Sequence, residues 1–155
     1  MEKKRASERF TVTIFLLTGI MVLFAWVHSV FPAKVSSWES LGILQICYRF
    51  FKLFGLSFQE AHTLLRKLAH FSEYAAIGGL LLSCGYCFDR FKPRRFTVPV
   101  LFGGLMTALI DETIQLFVEG RVGLVTDIWI DFGGVVFGTA VMLGVYRLHN
   151  RRKKK

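Results

Sequence analysis

Two adjacent carboxylates, Asp111 and Glu112, interrupt the apolar run Leu109-Ile110-Asp111-Glu112-Thr113-Ile114-Gln115-Leu116-Phe117. A third acid, Asp131, lies inside the next apolar run, four residues after Asp127. Upstream, His70 stands three residues after Lys67 and just before Glu73 and Tyr74. A charged side chain costs about 2.5–3.5 kcal/mol at the centre of an inserted helix, so residues kept there are by default functional-site candidates. The chemistry on offer is acid–base: a histidine beside carboxylates moves protons near neutral pH. His70, Glu112 and Asp111 form the candidate catalytic group. Lys67 and Arg121 suit an anionic group, and Glu73, Tyr74, Gln115, Asp127 and Asp131 complete the candidate binding set. The competing reading is an ion-pair network of Asp111, Glu112, Lys67 and Arg121 that holds helices together. Removing one partner of such a buried pair costs about 3–5 kcal/mol whether or not any reaction occurs.

One histidine with several carboxylates (His70, Glu73, Asp111, Glu112, Asp131) suits Mn or Zn. No compact ligand motif such as H-E-x-x-H appears, so the expectation is no cofactor, with a divalent metal as the lesser alternative. Cys84-Gly-Tyr-Cys87 has C-x-x-C spacing, but no second pair exists to complete a zinc site. With Cys47, these cysteines read as packing residues. His28, His62 and His149 stand outside any cluster and receive no role.

The elements that carry these residues read as membrane helices. The chain has 155 residues, 53% of them hydrophobic without counting glycine, against about 45–50% with glycine in soluble domains. The net charge of +9 comes from Lys and Arg that flank the apolar runs. That is the pattern of topology signals and anionic-lipid contacts, not of a nucleic-acid docking module. Four segments, 10–31, 64–88, 96–118 and 128–148, each have about the 20 residues needed to span a bilayer. The first is too long for a signal-peptide core, no A-x-A site follows, and it reads as a retained helix. Lys3, Lys4, Arg5, Arg9, Arg90, Lys92, Arg94, Arg95, Arg147 and 151–155 fall on one side of a four-helix arrangement. Lys34, Arg49, Lys52, Arg66, Lys67 and Arg121 fall on the other. The positive-inside rule then predicts a multi-pass cell-membrane protein with both termini cytoplasmic.

Between the first and second spans, Gln45, Tyr48, Arg49 and Lys52 recur at helical spacing, with Leu44, Cys47, Phe50, Phe51 and Phe54 on the other faces. This predicts an amphipathic interfacial helix, or a lid on the bundle. Ser36-x-x-Glu39 and Ser57-x-x-Glu60 both fit a capping box, with Gly55 between the helices they would start. Under the predicted topology the candidate residues share one layer beneath the extracytoplasmic surface. Asp127, Asp131, Gly134 and Gly138 form one stripe, and Gly78-Gly79, Gly103-Gly104, Gly134 and Gly138 would let the helices approach closely below it. The fold expected is all-α, a single polytopic membrane domain over 1–155 with a polar pocket facing outward.

Lys67-Leu-Ala-His70-Phe71-Ser-Glu73-Tyr74, then Asp111-Glu112-Thr-Ile-Gln115-Leu-Phe, Gly120-Arg121 and Asp127-Ile-Trp-Ile-Asp131-Phe-Gly-Gly134 resemble the VanZ-like family. These are small bacterial integral membrane proteins whose namesake is associated with resistance to teicoplanin, a lipoglycopeptide. The resemblance covers about 67–138, and Asp131 stands where the family more often has Asn. It implies a cell-envelope protein that binds an envelope lipid or lipoglycopeptide and alters the response to teicoplanin-type antibiotics. The alternative is a membrane-embedded enzyme acting on a lipid-linked headgroup, with His70 and Glu112 as acid and base. A small transporter has less support, because four spans without a visible repeat leave little room for alternating access. Beyond the bilayer and such a ligand no partner is implied, and the oligomeric state is not specified.

Overall fold

The computed structural model describes residues 6–32, 42, 45–46 and 48–152. Among them the regular structure is entirely helical, and four long helices dominate: α1 (Glu8–Val30), α2 (Phe58–Phe88), α3 (Thr97–Gln115) and α4 (Val125–Arg152). A short 3-10 turn, Pro93–Phe96, leads into α3.

Helix α1 begins at an N-cap, where Ser7 accepts from the Phe10 N–H. Its sequence is apolar all round, yet it buries only Thr18, Ala25 and Ser29. Leu16, Ile20, Leu23, Phe24 and Val27 remain exposed, and a helix apolar on every face that packs along one narrow stripe is suited to lipid on the others. By length and composition three stretches can cross a membrane: Glu8–Val30, Pro93–Gln115 and Val125–Arg152.

Helix α2 starts earlier than position 64. The expected capping box is formed: Glu60 N–H bonds Ser57 Oγ, and the Ser57 backbone N–H bonds Glu60 Oε2 at 2.8 Å. The Ser57 donors hold the Glu60 carboxyl below its usual pKa. Helix α2, which carries Glu60, Arg66, Lys67 and Glu73, is not among the three membrane-capable stretches. It is nonetheless the central helix, packed against all three others, with Tyr74, Ile77, Gly78 and Leu82 buried. Helix α3 ends at Gln115, short of the expected 118, and α4 begins at Val125 instead of 128.

Of the predicted interfacial segment, 48–53 is helical. Gly55, at φ 75°, breaks it from α2 as expected. Ile46, Phe50, Leu53 and Phe54 are exposed, and the rings of Tyr48 and Phe58 meet edge-on at 5.1 Å. Leu44, Cys47, the Ser36-x-x-Glu39 box, Lys34 and the basic residues of 1–5 and 153–155 lie outside the described residues.

The tightest contact joins α2 and α4. A Cβ at Gly134 would overlap the Phe71 carbonyl, one at Gly138 the Ala75 carbonyl, and one at Gly78 the backbone of Val135. Gly104 meets the Val135 side chain, whereas Gly103 has open space around it, so only one of that expected pair packs. Ala25, Tyr74, Ile77, Ala108 and Val135 form the core beside the polar residues. At the other end Tyr86 and Tyr146 stack at 3.8 Å, and Tyr146 Oη donates to Ser83 Oγ at 2.7 Å. Cys84 and Cys87 sit near that end, where Thr18 Oγ1 contacts Cys84 Sγ at 3.3 Å.

Candidate functional site

The close approach of α2 and α4 sets the site. Gly134 rests against the residue after His70, which leaves His70 Nδ1 3.8 Å from Asp131 Oδ1. Asp131 is 0% exposed, and neither of its carboxylate oxygens has a hydrogen-bond partner among the described residues. Burying such a group without a donor is costly, and its surroundings are unusual for that reason.

Helix α3 supplies the facing wall. Asp111 and Gln115, one turn apart, point the same way, and Glu112 lies beside them. Gln115 Nε2 donates to Asp111 Oδ2 and to Glu112 Oε1, each at 3.1 Å. Ser29, near the end of α1, donates from Oγ to Asp111 Oδ1 at 2.7 Å. Asp111, Glu112, Gln115 and Ser29 are all buried. One ligand-capable atom each from His70, Asp111 and Asp131 lies within 4.8 Å of the other two, so among the described residues these three are placed to share a metal ion.

Glu112 and Arg121 organise the loop from α3 to α4. The Leu124 N–H donates to Glu112 Oε2 at 3.0 Å, so both Glu112 oxygens are engaged and pin the loop to α3. Gly120, at φ 75°, turns the chain, and Arg121 then donates from Nε to Phe31 O at 2.9 Å and from a terminal nitrogen to His28 O at 3.2 Å. These are carbonyls at the C-terminal end of α1, a favourable place for a cation. Burial lowers the guanidinium's pKa.

Lys67 lies 3.8 Å from Asp127, with side chains 39% and 21% exposed. Asp127 is in the first turn of α4, where negative charge complements the helix dipole. Glu73 keeps one buried oxygen, Oε1, without a hydrogen-bond partner. Tyr74 is wholly buried, its hydroxyl 3.5 Å from Thr107 O, an oxygen that also accepts from Trp26 Nε1 at 3.3 Å.

The candidate residues thus divide into three groups. His70, Asp111 and Asp131 converge, with Gln115 and Glu112 beside Asp111. Arg121 holds the end of α1, and Lys67 and Asp127 pair nearer the surface. Ser29 is the residue that sequence reasoning passed over. Its signal was a hydroxyl in the last turns of an otherwise apolar helix, a weak cue because a serine there commonly bonds its own backbone. Cavities of about 690 and 650 Å³ border other residues: the first lies along α1, α2 and α4 beside Phe10, Gly79 and Met142, the second among Lys92, Arg94, Arg95, Arg147 and Arg151.

A family model described as VanZ/LLP1 matches residues 10–147, taking in α1 as well as the 67–138 stretch. No curated protein and no solved structure matches the chain. The family match spans nearly all of the four helices that build the cluster, and on that ground the chain belongs to the VanZ/LLP1 family.

Proposed function

We propose that this VanZ/LLP1-family protein crosses the cell membrane four times, with both termini in the cytoplasm and the 48–53 helix in the outer interface. In this reading the cluster around Asp131 receives the polar headgroup of an envelope lipid or lipoglycopeptide, and the protein thereby alters the response to teicoplanin-type antibiotics. The grouping of cations supports the orientation. Arg94 and Arg95 before α3 border the same cavity as Arg147 and Arg151 at the end of α4, while Lys67 and Arg121 lie toward the opposite end. Helix α2, 31 residues long, reaches about 46 Å at 1.5 Å per residue. It can cross the bilayer if its polar first turns stand in the interface.

The observation that carries the binding role is the Asp131 carboxylate, fully buried beside His70 with unused acceptor capacity. A purely structural network would have these oxygens satisfied from within, as Ser29 and Gln115 satisfy Asp111.

The test is to substitute His70→Ala, Asp131→Asn and Glu112→Gln singly and confirm membrane abundance. Teicoplanin sensitivity and turnover of labelled envelope lipids are then measured. Altered sensitivity with normal lipid turnover supports binding. Lost turnover at normal abundance favours the enzyme reading, with His70 and Glu112 as acid and base. Disappearance of all three variants from the membrane would leave the ion-pair network as the explanation.

A further inference from the structure

We propose that His70, Asp111 and Asp131 bind one divalent cation of the Zn²⁺ or Mn²⁺ class. Three helices, α2, α3 and α4, contribute one ligand each, and their donor atoms lie within 4.8 Å of one another. Two ligands on an ion at about 2.0–2.2 Å stand about 3–4 Å apart, so small rotations of the side chains bring all three onto one centre. The site is therefore largely built before a metal arrives.

The donor set identifies the class of ion. One imidazole nitrogen with carboxylate oxygens suits Zn or Mn better than Mg or Ca, which favour all-oxygen shells, and better than Cu(I), which favours sulfur. No cysteine belongs to the cluster.

Two independent observations point to a cation at this centre. The first is Asp131, 0% exposed, with both oxygens lacking a hydrogen-bond donor and one of them facing the His70 ring. The second is the support around Asp111. Ser29 and Gln115 each hold one of its oxygens, leaving the other lone pairs free, in the manner of the outer groups that orient metal-binding carboxylates. Two nearby protein cations are engaged elsewhere: Arg121 donates to the Phe31 and His28 carbonyls, and Lys67 pairs with Asp127. The His70 side chain, 19% exposed, offers an entry path that the two buried aspartates lack.

This inference uses the same cluster as the proposed headgroup site but stands without it. Metal content is read on purified protein, whereas headgroup binding is read through antibiotic response and lipid turnover. If both hold, the ion's remaining coordination positions are where an anionic headgroup oxygen would dock.

The experiment uses full-length protein in detergent, with any purification tag removed, stripped by chelator and re-equilibrated with Zn²⁺, Mn²⁺ or Co²⁺. The expected result is one tightly held ion per chain by elemental analysis, and a visible Co²⁺ spectrum distinct from the hydrated ion. Asp131→Asn and His70→Gln should abolish retention, and Ser29→Ala should weaken it about 10- to 100-fold. His149→Ala, in the last turn of α4, should leave it unchanged. Helical circular dichroism and elution volume establish that each variant is folded. Equal retention by folded Asp131→Asn, or failure of the wild type to hold any ion, overturns the proposal. If the ligand variants do not fold, the Co²⁺ spectrum of the wild type decides alone, and a hydrated-ion spectrum is the negative result.

Discussion

Gly138→Ala and Gly144→Ala are the same chemical change, six residues apart on α4, and the structure assigns them opposite signs. A Cβ at Gly138 would overlap the Ala75 carbonyl oxygen, and would stand 2.7 Å from its carbonyl carbon and 3.0 Å from its Cα. Carbon atoms are comfortable at about 3.5–4.0 Å, so α2 and α4 must separate by about 1 Å. The obstacle is backbone, which cannot rotate away as a side chain could. Overpacking of this kind costs about 1–3 kcal/mol. Around Gly144 nothing lies within 4 Å, so its replacement meets no clash and gains up to about 1 kcal/mol of helix propensity. The propensity gain is common to both variants, so they should differ by the clash alone, about 1–3 kcal/mol, a factor of roughly 5 to 150 in the folding equilibrium. Reversible unfolding in mixed micelles, followed by circular dichroism, measures the difference. The same displacement should draw His70 away from Asp131, so Gly138→Ala should also reproduce part of the functional loss of His70→Ala. Equal stability of the two variants would refute the account of the α2–α4 contact.

Other expectations follow from the polar residues. Glu112→Gln keeps one acceptor oxygen, enough for the Leu124 N–H, and should fold nearly normally, whereas Glu112→Ala orphans that donor while Gln115 keeps its bond to Asp111, and should lose about 1–3 kcal/mol in the same unfolding assay. Ser29→Ala removes the donor to a buried Asp111 oxygen and should cost about 1–3 kcal/mol, while Thr63→Ala at an exposed position of α2, where the hydroxyl bonds Gln59 O, should change stability by less than about 0.5 kcal/mol. Glu119→Cys, at an exposed position between α3 and α4, in a background with the three native cysteines changed to Ser, should react with a membrane-impermeant maleimide in intact cells. Labelling only after permeabilisation would reverse the proposed orientation.

What could be read from the sequence was periodic or chemical in kind. The apolar runs placed four helices to within a few residues at most ends, and Ser57-x-x-Glu60 announced the cap that the structure contains. Helix α2 extends beyond the apolar stretch at its start: Gln59, Glu60 and Thr63 are polar but helical, because the cap, not burial, nucleates the first turn. Asp111 and Gln115 sharing a face followed from the helical repeat alone. The roles of Glu112 and Arg121 did not, since each depends on a backbone group far along the chain, Leu124 N for one and the carbonyls of His28 and Phe31 for the other. Main-chain partners leave no mark in residue type. The side-chain pairs Lys67 with Asp127 and His70 with Asp131 join different helices, and helical spacing could anticipate them only as a shared layer.

The glycine contacts and the buried acids are linked. Gly134 and Gly138 let α4 lie directly on the backbone of α2 at Phe71 and Ala75, which brings Asp131 within reach of His70 and removes it from solvent. Larger residues at those positions would open a gap wide enough for water or lipid, and the carboxylate could then be solvated cheaply or turned aside. Close packing therefore creates the electrostatic problem that Asp131 presents. In low-dielectric surroundings a lone carboxylate is stable only when it takes up a proton or a cation. Asp111 shows the contrasting solution, with Ser29 and Gln115 supplying donors from within the bundle. Two acids a few ångströms apart, one provided with donors and the other without, are the arrangement on which the proposed cation site rests. It follows that Asp131→Asn, which removes the charge while keeping the shape, should raise thermal stability in chelator-treated protein. In metal-loaded protein the same substitution should lower it, because the wild type alone then gains from binding. A destabilising effect of equal size in both conditions would show that the carboxylate serves the fold and not a bound cation.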